Sequence, residues 1–90
     1  MQAWWVYIIE ATNGALYTGI TTDVERRFTE HQGSTAVAAK KGAKFFRGNA
    51  PKAVVFRQQC ADRSRASMAE ASIKRLTRAQ KQALIVTGVF

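Results

Sequence analysis

Residues 4–10 are apolar on both sides: Trp5, Tyr7 and Ile9 point one way, and Trp4, Val6 and Ile8 the other. Aromatic and β-branched residues favour a strand, and a strand without a polar face belongs at the covered centre of a sheet. Thr12-Asn13-Gly14 reads as a turn into a partner strand over residues 15–20. A two-residue loop at Asn13-Gly14 would put Tyr7 and Tyr17 on opposite faces. A three-residue loop with Gly14 left-handed would pair Ala11 with Ala15 and Ile9 with Tyr17, leaving both tyrosines on one face. The period then changes. Val24, Arg27, Phe28 and His31 recur at spacings of three and four, so they share one face of a short helix. Asp23 is placed to cap it, Glu25 suits its positive end, and Gly33 falls at the expected stop.

Residues 34–50 carry no clear period. Residues 36–39 favour a helix, but Gly42 and Gly48 interrupt any long element, and Pro51 closes the stretch. A third strand is expected over residues 53–59, with Val54 and Phe56 on one face and Val55 on the other. Asp62 or Ser64 can cap a second helix running to about Arg75, with Ala66, Ala69, Ile73 and Leu76 as its apolar stripe. Glu70 lies about 60° round from Ile73 and borders that stripe. Thr77-Arg78-Ala79-Gln80 is a capping-box pattern for a last helix that would pack through Ala83, Leu84 and Val86. The expected fold is α/β (α+β): one domain over residues 1–90, with a three-stranded, mainly antiparallel sheet flanked by helices.

Composition narrows the function. With 90 residues and 47% hydrophobic positions the chain should be globular. Cys60 is alone, so a disulfide within the chain and a four-cysteine zinc site are both excluded, and a cytoplasmic location is expected. No apolar run is long enough for a membrane span, and the N-terminus lacks a signal-peptide pattern. Fourteen basic residues against six acidic ones give a net charge of +8, which favours a polyanion partner, nucleic acid first. No acidic residue lies between Glu30 and Asp62, while Lys40, Lys41, Lys44 and Arg47 do; these four are the expected phosphate contacts. The same segment also fits a solvated basic loop, and the net charge an adaptor for an acidic protein.

Several residues have both a chemical and a purely structural reading. Arg27 on a half-buried helix face either lines a polar cleft or pairs with Glu30 or Asp23. His31 either joins that cleft or sits at a helix end where the dipole favours it. Glu70 is a metal ligand or the partner of Lys74, four residues on. Tyr7 and Tyr17 are reactive phenols or ordinary sheet aromatics.

Taken together and in this order, these residues resemble the GIY-YIG endonuclease family. Trp5-Val6-Tyr7 stands for its first triad, Tyr17-Thr18-Gly19 for its second, Arg27 for its helix arginine and Glu70 for its metal-binding glutamate. His31 matches a histidine found in some branches, and Gly42-Ala43-Lys44-Phe45 resembles a segment of the small stand-alone bacterial members. The resemblance covers nearly the whole chain. It implies divalent-metal-dependent hydrolysis of phosphodiester bonds in DNA, including branched or damaged DNA, with RNA left open and a protein partner allowed for. Tyr7, Tyr17, Arg27, His31 and Glu70 would be catalytic, and Glu70 would hold Mg2+ or Mn2+. The alternative is a non-catalytic nucleic-acid-binding module that keeps the fold. Trp5 replaces the family's glycine and Thr18 its isoleucine, neither change removing a reactive group. Many relatives also carry an asparagine near the domain's end, and Asn13 and Asn49 are the chain's only asparagines.

Overall fold

The computed structural model describes residues 3–32, 50–88 and 90. Strands β1 (Trp4–Ala11), β2 (Leu16–Thr21) and β3 (Pro51–Cys60) form an antiparallel sheet in the order β2-β1-β3. Helix α1 (Val24–Gln32) follows β2, and helices α2 (Arg63–Lys74) and α3 (Arg78–Thr87) follow β3. The three-stranded antiparallel sheet with flanking helices is the architecture expected from the pattern. The expected phosphate contacts Lys40, Lys41, Lys44 and Arg47 lie outside the described residues, as does Gly33.

β1 is central because both its faces are apolar. Val6 and Ile8 are buried with Phe56, Ile73 and Leu84, so α2 and α3 cover that face. Tyr7, Ile9 and Ala11 are buried with Val24, backed by Phe28, so α1 covers the other. Each buried aliphatic side chain contributes about 1.5–3 kcal/mol, so the fold depends on filling both layers. The β1–β2 turn takes the three-residue form. Ala11 N donates to Ala15 O at 2.8 Å, Gly14 has φ +86°, and Ile9 pairs with Tyr17. Asn13 Oδ1 accepts from Ala15 N at 3.0 Å, and Arg78 Nη2 donates to Gly14 O at 2.8 Å, tying α3 to the turn.

β3 departs from the expected alternation. Ile8 pairs with Phe56 but Ile9 with Val54, so Val55 is the extra residue of a β-bulge. Val54 therefore joins the Tyr7 layer and Phe56 the Val6 layer, instead of sharing a face. The strand also begins at Pro51, which an edge strand tolerates because its missing N–H breaks no ladder. Asp23 caps α1 by accepting from Arg26 N at 3.0 Å, and Asp62 caps α2 by accepting from Arg65 N at 2.8 Å. Thr77 and Gln80 close the capping box of α3, whose packing stripe is Leu84 and Ile85. Ala83 and Val86, expected inside, are exposed because α3 turns only this narrow stripe toward the sheet.

Candidate functional site at the edge of the sheet

Tyr7 leaves β1 opposite Gly19 of the edge strand β2. A Cβ on Gly19 would stand 2.5 Å from Tyr7 Oη and 2.7 Å from its Cζ. The ring thus lies flat across the glycine, and its hydroxyl reaches the β2 side of the sheet. Glycine weakens a strand interior; here it opens the path for that ring. Nothing in the sequence pattern indicated this contact between Gly19 and Tyr7.

Tyr7 Oη lies 3.0 Å from His31 Nε2 in a buried hydrogen bond. Tyr17 closes the group: its ring centroid is 5.1 Å from that of His31, edge-on at 69°, and 6.4 Å from that of Tyr7. Burial, and then the neighbouring Tyr17, push the Tyr7 phenol up to about 12; Arg27 opposes the shift and Glu70 adds to it. His31 is pushed down to about 4, first by burial and then by the positive charge of Arg27, with Glu30 opposing. Both groups are therefore neutral at pH 7. The phenol donates to His31 Nε2 when the imidazole proton sits on Nδ1, and the nearby Arg27 charge favours negative charge on the phenol oxygen.

Arg27 enters from the flank of α1. Its Nη1 donates to Glu30 Oε1 at 3.0 Å, and its side chain keeps 27% of its exposure. Burial works against its charge, but Glu30 and Tyr7 outweigh it and its pKa is raised. Glu70 comes from α2, whose buried Ile73 and flanking Ala69 pack on the opposite sheet face, yet its charge acts on Tyr7. Its side chain is 25% exposed, with Oε2 3.4 Å from Lys74 Nζ. The structure therefore draws Tyr7, Tyr17, Arg27 and His31 together at the β2 edge and sets Glu70 within electrostatic reach. The plain ion pairs Arg27–Glu30 and Glu70–Lys74 are both present as well.

Two features went unread in the sequence. Arg57, opposite Tyr7 on β3, pairs with Glu25 and fastens α1 to the sheet. Thr18 is 3% exposed on the α2 face, and its Oγ1 has no hydrogen-bond partner among the described residues. Among the described residues no group of three or more His, Cys, Asp and Glu converges on a metal-sized site, and no helix is long and apolar enough to cross a membrane.

The three-stranded antiparallel sheet thus carries paired tyrosines on one face, with an arginine on α1 and a glutamate on α2. A GIY-YIG catalytic domain model matches residues 3–83, and the chain belongs to the GIY-YIG family. Within it, the chain is similar to the UPF0213 protein YhbQ of Escherichia coli, with 44% identity over 98% of this chain and 82% of that one. It is also similar to the UPF0213 protein DP2720 of Desulfotalea psychrophila, with 46% identity over 92% and 71%. The solution structure of the UPF0213 protein BH0048 from Bacillus halodurans has the same fold, with 36% identity and a TM-score of 0.57 over 94% of this chain and 84% of that one.

Proposed function

We propose that the protein is a divalent-metal-dependent endonuclease that hydrolyses phosphodiester bonds in DNA. The observation that carries this reading is the buried Tyr7–His31 hydrogen bond at 3.0 Å beside a partly exposed arginine. Arg27 binds the scissile phosphate and neutralises the charge that grows on it, replacing its bond to Glu30 with one to the substrate. A phenol near 12 is a poor base, so Tyr7 does not act alone. It works as a relay: its oxygen takes a proton from the attacking water while its own proton passes to His31 Nε2. Phosphate binding also helps His31, because it cancels the Arg27 charge that is one of the causes of its low basicity. The hydroxide forms the new bond to phosphorus, the bond to the leaving sugar oxygen breaks, and that oxygen takes a proton from solvent. Tyr17 holds the imidazole edge-on in the orientation that faces Tyr7.

The donor chemistry fits magnesium or manganese held by Glu70. A hard divalent ion of this kind retains several waters and needs one or two protein carboxylates, whereas zinc asks for three or four protein ligands. When bound, it supplies charge stabilisation to the phosphate and the leaving oxygen. Lys74 would give up its 3.4 Å pairing with Glu70 when the carboxylate holds the ion.

The test is incubation of the purified protein with linear, nicked and four-way DNA in magnesium or manganese, with a chelator control. Metal-dependent strand breaks are expected. Binding without breaks on any DNA or RNA form would replace this reading by the non-catalytic binding module, in which the Arg27–Glu30 and Glu70–Lys74 pairs are permanent.

A further inference from the structure

α2 carries a charged row that the five site residues do not account for. At about 100° per residue, Arg63, Glu70 and Lys74 fall within about 40° of one another on one flank of the helix. Arg65, on the same helix, falls about 160° from Arg63. Arg63 and Lys74 are exposed. The Arg63 guanidinium carbon lies 5.6 Å from the Trp4 ring centroid, so stacking holds it in place without using its hydrogen-bond donors. Lys74 Nζ stands 3.4 Å from Glu70 Oε2. The row therefore places one cation on each side of the carboxylate. Only Glu70 among the residues of α2 is acidic, so a polyanion laid along this flank meets little repulsion.

We infer that this flank of α2 is the track for the nucleic-acid strand, with Arg63 and Lys74 holding phosphates on either side of the one at Glu70. The inference rests on the reading of Glu70 as the carboxylate at the reacting centre. At about 1.5 Å per residue, Arg63 lies roughly 10 Å before Glu70 and Lys74 roughly 6 Å after it. Phosphates advance about 3.4 Å per residue of a duplex strand along its axis, so the two cations are about five phosphates apart. Arg63 holds its phosphate through a planar, stacked guanidinium, and Lys74 through a mobile point charge. The Lys74 ammonium is shared with Glu70 in the absence of a substrate and moves to phosphate when the strand arrives.

The experiment is DNA binding by fluorescence anisotropy in chelator, where no cleavage intervenes, over about 50–200 mM salt. Arg63→Gln and Lys74→Gln should each lower the slope of log affinity against log salt by about 0.9, and the double variant by about twice that. Arg63→Lys should keep the slope, because the charge remains while the stacking on Trp4 is lost. Arg65→Gln, on the other flank, should leave it unchanged. Unchanged melting temperatures establish that the variants are folded. An unchanged slope in the double variant overturns the track, and so does an equal drop in Arg65→Gln, which would mean a diffuse positive surface. If wild type binds with these slopes yet cuts nothing in magnesium, the track stands and the nuclease reading falls.

Discussion

Replacing Gly19 by alanine tests the geometry on which the site depends. The added methyl would sit 2.5 Å from Tyr7 Oη, 2.7 Å from Cζ and 3.1 Å from Cε1. Carbon contacts settle near 3.5–4.0 Å, so the ring must shift by about 1 Å or β2 must move away. Tyr7 is 1% exposed and hemmed in by Tyr17, so it has little room. Overpacking of this kind costs about 1–3 kcal/mol. A shift that breaks the 3.0 Å bond to His31 leaves a buried donor unpaired, at about 1–3 kcal/mol more. The lower unfolded-state entropy of alanine offsets about 0.4–1 kcal/mol. The net loss should be on the order of 2–4 kcal/mol, read by urea denaturation at constant m-value. The cause is checked by a double-mutant cycle with Tyr7→Leu, which removes every clashing atom. In that background Gly19→Ala should cost little, giving a coupling energy of at least about 1 kcal/mol. A Gly19→Ala protein as stable as wild type, or additive costs in the cycle, would refute the crossing of Tyr7 over β2.

Other perturbations follow from the same structure. Thr18→Val removes a buried hydroxyl without a partner among the described residues and should raise stability by about 1 kcal/mol in the same denaturation assay; a loss would mean that the hydroxyl is satisfied. His31 sits near 4 in the folded protein against 6.5 unfolded, so its contribution to stability is complete above pH 6.5 and is lost as pH falls toward 4. His31→Gln should remove that part of the pH slope. Tyr7 behaves in the opposite sense: its contribution is present below pH 10 and lost as pH rises toward 12, and ultraviolet titration should find one phenol ionising last. Arg27→Ala should lower the cleavage rate by about 100–1,000-fold while DNA affinity changes far less, as measured by single-turnover kinetics beside anisotropy.

The parts of the fold that were legible were those set by local chemistry. Asn13 and Gly14 allow a three-residue loop, and Gly14 adopts the positive φ that such a loop needs. That register alone puts Tyr7 and Tyr17 on one face. The spacing of Val24, Arg27, Phe28 and His31 predicts their shared helix face, and Asp23, Asp62 and Thr77 cap where capping chemistry places them. The bulge at Val55 was hidden because three consecutive apolar residues, Val54, Val55 and Phe56, read equally well in either phase. The electrostatic influence of Glu70 on Tyr7 depends on where α2 docks, which no local period records. The crossing of Tyr7 over Gly19 was not legible, because the two residues lie twelve positions apart on different strands. The stripe of α3 was misplaced because one helix turn against a sheet edge buries Leu84 and Ile85, leaving the equally apolar Val86 in solvent.

The most direct measurement of the central claim is magnesium-dependent strand cleavage by wild type, Glu70→Gln and Tyr7→Phe side by side, with DNA affinity measured on the same preparations. Glu70→Gln keeps the size of the metal ligand but removes its charge. Tyr7→Phe keeps the ring over Gly19 but removes the hydroxyl that relays the proton. The account predicts cleavage by wild type, abolished by chelator, and slowed about 100-fold or more in both variants, with affinity changed by no more than a few-fold. Undiminished cleavage in either variant, or binding without cleavage by wild type in magnesium and manganese, would contradict it.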